Sequence, residues 1–410
     1  MESSNPAAAS GGGVLPLDVL FDVLVRLPAK EICRFRAVCR HWHSLTTDPL
    51  FIDAHAARHP GPLIVASFKG DDDHVHLMDL SGHVVKRLPV PPWNACLSAH
   101  IMCSRLDLIV VANTEGRCSV INPATGAVSH LRKTLPDHSS SEEELALNEG
   151  EWRRYPDYHV FALGRVESTG EYKVLRIASE DCMWYDFDDT SCLECSVLSV
   201  NGGSCRIPWR STGSPEFPVD MDSAVVVGSS VYFFWSDRYG TEIQKKIMNG
   251  YDIEPDFIAA FDLDTEEWTT IPGPRPEDDH GSSDDGEDMD YRDMCSGSTL
   301  AELSGYLVLL HERDYYSRLF GVWFLKDTEN HVWEKECSIW APKSVFPARE
   351  TVKPFLLLDD GRIAFFLHHK GVLLLYDPTT KVFSEVDTGR LRAIGLYTGN
   401  LLSLQNVATV

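Results

Sequence analysis

Four cysteines in the middle of the chain come closest to a metal site by residue type. Cys182, Cys192, Cys195 and Cys205 include a single C-x-x-C pair. A structural zinc ion needs four thiolate or imidazole ligands that converge on one tetrahedron. No second C-x-x-C pair and no well-spaced histidine pair completes the pattern. We therefore predict ordinary cysteines in and between strands, with zinc as the alternative, and we predict no metal ligand and no cofactor.

Two other groups of residues could bind a metal ion. His55 and His59 lie four residues apart, a spacing that suits one face of a helix, but no third ligand lies nearby. We interpret them as solvated surface histidines. The acidic run from Asp284 to Asp288 could hold calcium, but the ligand spacing of an EF-hand loop is absent. A solvated loop is the preferred interpretation there.

The usual catalytic motifs do not occur in this sequence. It has no G-x-S-x-G elbow, no P-loop, no G-x-G-x-x-G opening a helix and no H-E-x-x-H. Some folds assemble active sites from residues far apart in sequence, so an enzyme stays an alternative. We predict no catalytic residues and a protein that works by binding.

Composition narrows the class of binding partner. The chain has 410 residues, 43% hydrophobic content and a formal net charge of -24. A nucleic-acid footprint needs a basic patch, so nucleic acid is not an expected partner.

Residues 1–13 are expected to form a disordered leader, because they lack the basic start and apolar stretch of a secretory signal. No apolar run approaches the length of a membrane span. The eleven cysteines lack regular spacing and fit reduced thiols, so we expect a soluble protein in the cytoplasm, the nucleus or both.

Helical periodicity begins near Leu15 and predicts a first helix of about three turns. Pro16 suits the first helical position, and Asp18 lies where the helix dipole favours an acid. Asp18, Asp22 and Arg26 follow at intervals of four and form one narrow polar stripe. Apart from these three, nearly all residues of this segment are apolar, so the helix must be covered on two sides.

Further short helices are predicted up to about residue 52. A second helix should run from about Ala29 to Val38, and a third should pass through Trp42 and Leu45. Asp48-Pro49 looks like a cap followed by proline at the first position of another helix. In the second helix we expect one set of side chains to face inward, Ile32, Phe35 and Val38, and another outward, Lys30, Arg34 and Arg36.

A helical domain over residues 14–60 buries too little surface to be stable alone, so its leftover apolar surface implies a partner. Packing onto the rest of its own chain is the alternative.

The segment resembles the F-box, the motif by which substrate-recruiting subunits dock on the Skp adaptor of SCF ubiquitin ligases. The resemblance is carried by Leu15-Pro16, Asp18, Leu20, Val23-Leu24, Leu27-Pro28, Ile32, Arg36-Ala37-Val38-Cys39-Arg40, Trp42 and Leu45. It implies a Skp-type adaptor, and through it a cullin ligase, as partner. The implied adaptor-binding residues, some of which will be internal core, are Leu15, Pro16, Leu20, Val23, Leu27, Ile32, Val38, Cys39 and Trp42.

Residues 61–410 show strand-length apolar runs instead of helical periodicity. In a recurring unit, a strand ends in Asp or Asn, a turn with Thr or Ser follows, and the next strand contains Trp, Val or Phe. This order is typical of a hairpin. A second recurring unit places an apolar strand after a small turn, as in Ser304-Gly305-Tyr306. The copies of the first unit are His76–Gly82, Val120–Gly126, Phe261–Trp268 and Leu375–Phe383, with a looser copy from Trp323 to Trp333.

Two hairpins per repeat predict four-stranded units, and the length of the region would hold about six of them. This pattern favours a β-propeller, with a pair of β-sandwiches as the alternative. The region also resembles the F-box-associated domains of plants, which are similar to kelch-type propellers. The predicted fold class is therefore α+β multidomain, with three or four helices followed by an all-β propeller of about six blades.

Two acidic segments interrupt the β region, near residues 137–150 and 277–293. The second contains nine acids and one arginine, and both are predicted to be disordered loops on one rim. We hypothesise a substrate-recruiting subunit of an SCF-type ubiquitin ligase, in which the β region binds an unknown protein target. An F-box scaffold or inhibitor with no ubiquitination role is the alternative.

Overall fold

The computed structural model describes two compact units, a helical module and a β domain, which are treated separately below. The helical module consists of the helices between residues 17 and 58 together with residues 401–402. The β domain lies between residues 62 and 399. The described residues are 16–27, 29–59, 61–90, 100–102, 107–113, 116–131, 158–179, 193–200, 209–215, 219–234, 257–274, 298–314, 318–347, 350–399 and 401–402. The predicted leader at 1–13, the acidic segments 137–150 and 277–293, and the calcium candidate at 284–288 fall outside them.

The module has four helices, in agreement with the predicted three or four. They are Leu17–Leu24 (α1), Ala29–Phe35 (α2), Arg40–Thr46 (α3) and Pro49–Arg58 (α4). Pro16 is the N-cap of α1 and does not occupy its first position. The Asp48 carboxylate accepts a hydrogen bond from the Leu50 amide at 2.8 Å and caps α4, confirming the Asp-Pro start signal. No helix within the described residues is long and apolar enough to cross a membrane.

The predicted second helix is three residues too long, and this changes which side chains point inward. Helix α2 ends at Phe35, and residues 36–38 form a turn. Val38 is therefore 61% exposed, where an inward position was predicted. Arg36, predicted to face outward, is partly buried and donates a hydrogen bond to the carbonyl of Thr46 at 2.8 Å. The pattern of apolar residues was extrapolated past the helix end, where helical periodicity no longer applies.

The core of the helical module is formed by fully buried aliphatic and aromatic residues. Leu24 of α1, Ile32 of α2 and Phe51 of α4 are among its most buried side chains. Phe21 packs edge-on against Phe51, with ring centroids 5.1 Å apart. Since α1, α2 and α4 all contribute, the helices hold one another in place through this cluster.

The β domain is a six-bladed propeller of four-stranded antiparallel sheets, so the β-sandwich alternative is excluded. Strands are named in chain order and given from the inside of each blade outward. Blade 1 contains Leu391–Tyr397 (β24), Leu63–Phe68 (β1), His74–Met78 (β2) and Val84–Pro89 (β3), and blade 2 contains His100–Met102 (β4), Ile109–Ala112 (β5), Cys118–Ile121 (β6) and Val128–Leu131 (β7). Blade 3 contains Tyr158–Arg165 (β8), Tyr172–Ser179 (β9), Leu193–Val200 (β10) and Arg210–Ser211 (β11), and blade 4 contains Val225–Val227 (β12), Ser230–Phe234 (β13), Phe257–Asp262 (β14) and Trp268–Pro272 (β15). Blade 5 contains Thr299–Leu303 (β16), Tyr306–Asp314 (β17), Leu319–Asp327 (β18) and Val332–Trp340 (β19), and blade 6 contains Val352–Leu357 (β20), Ile363–Leu367 (β21), Val372–Asp377 (β22) and Val382–Val386 (β23).

The ring is closed by the last strand. Strand β24 pairs antiparallel with β1, with Leu63 opposite Tyr397 and Val65 opposite Gly395. Blade 1 therefore combines three strands from the start of the domain with one from its end. Strand β24 thereby covers the inner edge of β1, which would otherwise have no partner on that side within blade 1.

The recurring Asp or Asn unit is a hairpin, as predicted, and the structure shows that it is the outer hairpin of its blade. The side-chain oxygen of Asp262 accepts hydrogen bonds from the amides of Asp264 at 2.6 Å and Thr265 at 3.2 Å. Asp79, Asn122, Asp327 and Asp377 make the equivalent bonds two residues ahead in their own hairpins. These Asx turns explain why a four-stranded repeat could be recognised from sequence alone.

Apolar clusters fill the spaces between neighbouring blades. Phe320 of blade 5 and Phe365 of blade 6 both contact Phe346, which lies in the connection between those blades. An ion cluster links blades 3 and 4, where the Glu266 carboxylate accepts hydrogen bonds from Lys173 at 2.8 Å and Arg210 at 2.6 Å. Burial by itself would raise the pKa of Glu266, but these two cations lower it.

Both acidic segments belong to the same type of connection. Residues 137–150 lie between β7 and β8, and residues 277–293 lie between β15 and β16. Each connection runs from the outermost strand of one blade to the innermost strand of the next. Because the strands of every blade alternate in direction, the described strand ends that flank both segments lie on the same face of the ring.

Candidate docking surface

Helix α1 has an apolar surface on both sides, but only one side is covered within the helical module. Leu20 and Leu24 are buried in the core. Val19 and Val23, four residues apart and thus neighbours on the helix surface, are 42% and 49% exposed. The side chains of Asp18 and Asp22 are exposed beside them. The sequence-based expectation that α1 needs cover on two sides therefore corresponds to one buried and one open apolar face.

Other parts of the module also expose large apolar side chains. Leu17 at the start of α1, Val38 in the α2–α3 turn and Leu50 at the start of α4 are all exposed, Leu50 to 76%. Single exposed apolar residues are normal on soluble proteins, but several within one small module mark a candidate interaction surface.

The adaptor-binding residues implied by the resemblance divide into two groups in the structure. Pro16, Val23, Val38 and Cys39 are exposed and could contact a partner directly. Those with buried or partly buried side chains that belong to the module core are Leu20, Leu27, Ile32 and Trp42. Leu15, the ninth, lies outside the described residues.

Cys39 and Trp42 have structural roles that the sequence did not reveal. The Cys39 sulfur accepts a hydrogen bond from the Trp42 amide at 3.5 Å, so Cys39 is the N-cap of α3. The Trp42 ring packs edge-on against Phe35, with centroids 5.1 Å apart. This contact joins the end of α2 to α3. The segment from Val38 to Trp42 therefore orients α2 and α3, and it also exposes atoms that a partner could contact.

The interpretation of His55 as a solvated histidine is wrong. His55 is buried, and its Nε2 donates a hydrogen bond to the Leu27 carbonyl at 2.9 Å. Exposed His59 makes a similar bond to the Val25 carbonyl at 3.1 Å, with the two imidazole centroids 4.4 Å apart. These carbonyls follow α1, so helix α4 satisfies backbone acceptors just beyond the end of α1. The two histidines connect α4 to the segment that follows α1.

Burial lowers the pKa of His55, partly offset by its bond to Leu27 and reinforced by the neighbouring His59. The unfolded chain therefore takes up a proton at higher pH than the folded module does. We predict that the module loses stability as pH falls below about 6.5, the ordinary histidine value. The His55→Gln variant, which keeps an N–H donor but does not titrate, should show a weaker dependence.

Hydrogen exchange of α1 and α4 amides at about pH 7.5 and about pH 5.5, corrected for intrinsic rates, measures this effect. His83 is the matched control, because it is an exposed histidine in the propeller, and its replacement by Gln should leave the module's pH dependence unchanged. An equal pH dependence in the wild-type and His55→Gln proteins would contradict the assignment.

Among the four clustered cysteines, only Cys195 lies within the described residues. Its side chain is buried in the apolar cluster between blades 3 and 4. This burial raises the pKa of its thiol to about 12, which leaves it protonated and unreactive at neutral pH. Cys182, Cys192 and Cys205 fall outside the described part of the chain. The residues that are described contain no cluster of three or more His, Cys, Asp or Glu suited to a metal ion.

Comparison with known proteins identifies the helical module and finds relatives of the longer chain. Residues 13–53 match the F-box-like domain family. The chain is 26% identical to the F-box protein At1g30790 of Arabidopsis thaliana, over 82% of this chain and 77% of that protein. It is 24% identical to the F-box protein CPR1 of the same plant, over 91% of this chain and 84% of that protein. Many plant F-box proteins are thus similar to this chain over most of its length.

Solved structures show more distant similarity. Virginiamycin B lyase from Staphylococcus aureus aligns with a TM-score of 0.38 and 12% identity, over 79% of this chain and 83% of that chain. An oligogalacturonate lyase in complex with manganese aligns with a TM-score of 0.40 and 10% identity, over 77% and 70% of the two chains. At such scores, neither enzyme's activity is transferred to this protein.

Proposed function

The chain joins an F-box-like domain to a six-bladed β-propeller, and we propose that it is the substrate-recruiting subunit of an SCF-type ubiquitin ligase. The observation that carries this proposal is the open apolar face of α1 within the matched domain. A domain that leaves such a face uncovered is suited to docking on another protein. The F-box-like domain would bind a Skp-type adaptor and, through it, a cullin ligase.

The exposed apolar residues are the proposed direct contacts with the adaptor. Val19 and Val23 form the central stripe, and Pro16, Leu17, Val38, Cys39 and Leu50 extend the exposed set. Leu20, Leu27, Ile32 and Trp42 hold the shape of the domain from inside. Leu15 belongs to the proposed contact set on the strength of the sequence motif.

The propeller is the proposed target-binding part. From Leu15 to His59 there are six basic and five acidic residues, a net charge of +1, whereas the whole chain carries -24. Essentially all of the negative charge therefore lies outside the docking domain, which favours a basic protein target. The target's lysines would then meet the ubiquitin-loaded enzyme through effective concentration, with no catalytic residue supplied by this chain. We place this activity in the cytoplasm, the nucleus or both.

Reconstitution tests the proposal in two steps. The purified full-length chain should form a stable complex with a Skp-type adaptor and cullin, measured by size-exclusion chromatography and by binding affinity. Proteins that accumulate when the chain is deleted in cells should then be ubiquitinated by the reconstituted complex. Failure to bind any Skp-type adaptor would disprove the docking role. Adaptor binding without any accumulating or ubiquitinated protein would instead favour the scaffold or inhibitor.

A further inference from the structure

The helical module contains a component that is remote in sequence. Residues 401–402 follow the last propeller strand, which ends at Tyr397, yet they belong to the compact unit of the four helices. Leu402 is 0% exposed. It shares the module's apolar cluster with Leu20, Ile32 and Phe51, which come from three different helices. A side chain more than 340 positions downstream of α4 thus forms part of the core of this module.

A hydrogen-bonded arginine fixes the backbone of this segment. Nη2 of Arg36 donates to the carbonyl of Leu402 at 2.7 Å and to the carbonyl of Thr46 at 2.8 Å. Thr46 is the last residue of α3, where carbonyl groups lack partners within the helix. The guanidinium therefore joins the turn after α2, the end of α3 and residue 402. Burial lowers the pKa of Arg36, consistent with a partly desolvated position.

We propose that Leu402 and Arg36 are positioning residues for adaptor docking: residues 401–402 complete the core that supports α1, the helix presenting the open face. This inference rests on the proposed function. The four helices have only seven to ten residues each and form a small core, so one fully buried leucine is a substantial part of it. Leu402 lies in the same cluster as Leu20 and Leu24, on the inner side of the helix whose outer side carries Val19 and Val23.

Three full-length variants test the core role without any partner. Leu402→Ala should accelerate hydrogen exchange of α1 and α2 amides by at least about tenfold, because the cavity destabilises the helices around it. Leu402→Met, which conserves volume, should keep exchange near the wild-type rate. Arg36→Lys keeps the positive charge but loses the rigid planar guanidinium that is placed between the two carbonyls, and it should give an intermediate acceleration.

A pair of truncations separates this segment from the residues that follow it. Removing residues 403–410 leaves Leu402 in place and should not change exchange in the module. Removing residues 401–410 should reproduce or exceed the effect of Leu402→Ala. Amides of β5 and β6 in the propeller serve as an internal control and should exchange at the same rate in every variant.

Affinity for a Skp-type adaptor supplies the second measurement. It should fall at least about tenfold in Leu402→Ala and in the longer truncation, and it should stay within about twofold in Leu402→Met and in the shorter one. Unchanged exchange in Leu402→Ala would overturn the core role. Faster exchange with unchanged affinity would overturn the positioning role. A wild-type chain that binds no adaptor would refute the proposed function and the positioning role together, while the exchange data would still decide whether Leu402 is part of the core.

Discussion

Replacing Val19 with Asp and Val23 with Lys in the same chain should lower its affinity for a Skp-type adaptor by at least about 100-fold. The two side chains form the apolar stripe on the open face of α1, at 42% and 49% exposure. An interface that covers this stripe would have to desolvate two charges. Buried charges of this kind cost several kcal/mol unless the partner supplies matching groups.

The substitutions are chosen so that α1 itself is not weakened. Position 19 lies in the first turn of α1, where the helix dipole favours an acid, and position 23 lies in the last turn, where it favours a base. An acid four residues before a base also forms a favourable pair on the helix surface. Loss of adaptor binding would therefore reflect loss of the apolar face, and circular dichroism and exchange of α1 amides should stay close to the wild type.

A matched change in the propeller controls for general effects of added charge. Val332→Asp combined with Val382→Lys alters two valines of similar exposure, 43% and 57%, on the outermost strands of blades 5 and 6. Isothermal titration with the adaptor should give the wild-type affinity for this variant. Equal affinity of the α1 variant and the wild type would disprove α1 as the docking surface, whatever the other assays show.

Elements with local signals could be predicted from the sequence. The Asp48-Pro49 start of α4 and the Asx turns of the outer hairpins depend on side chains that bond to amides two residues ahead. Such bonds are encoded within a few residues, so the pattern of four helices and repeated hairpins could be recognised without knowing the fold. Six four-stranded blades then followed from the length of the β region.

Contacts between distant segments could not be predicted in this way. Nothing near Arg36 indicates that its guanidinium bonds to the carbonyl of Leu402, because the two are 366 positions apart. The buried position of His55 depends in the same way on a contact with a carbonyl 28 positions earlier. The exposed position of Val38 was missed for a different reason, since α2 ends at Phe35 without a Gly or Pro to mark the end.

For the candidate site, the helical segment could be identified from the sequence. The residues that face a partner could not be separated from those that form the core. Apolar residues surround most of α1, which indicated that two faces need cover, yet this pattern could not show which face the module itself covers. That choice depends on how α1 packs against Ile32 and Phe51, which is a property of the folded module. The exposed residue Val19 was therefore absent from the predicted contacts, although Val23, its neighbour one turn later, was included.

In the propeller, we expect Arg318→Met to lower the free energy of unfolding by about 3–5 kcal/mol. Arg318 is buried in the turn between β17 and β18, where it donates hydrogen bonds to the Glu312 carboxylate and to the carbonyl of Phe346. Its guanidinium also lies 5.2 Å from the ring centroid of Phe320. Phe346 is the aromatic residue that contacts both blade 5 and blade 6, so Arg318 holds the backbone of the segment between them.

Methionine preserves much of the volume of arginine but provides no hydrogen-bond donors. The Glu312 carboxylate therefore loses its cation at a poorly solvated position, because the Glu312 side chain is only 13% exposed. A melting temperature about 5 °C or more below the wild type is expected. The surface pair provides the control: Arg362 bonds to Asp360 at 2.8 Å with both side chains well exposed, and Arg362→Met should leave the melting temperature unchanged.

A second substitution in the same cluster tests the cause of the destabilisation. If the cost in Arg318→Met comes from the carboxylate left behind, adding Glu312→Gln should recover part of the lost stability, because the amide is neutral. If the cost comes only from the lost bond to the carbonyl of Phe346, the double variant should be no more stable than Arg318→Met. The first explanation therefore predicts a gain in stability on adding Glu312→Gln and the second predicts none, and a double-mutant cycle of thermal unfolding distinguishes them.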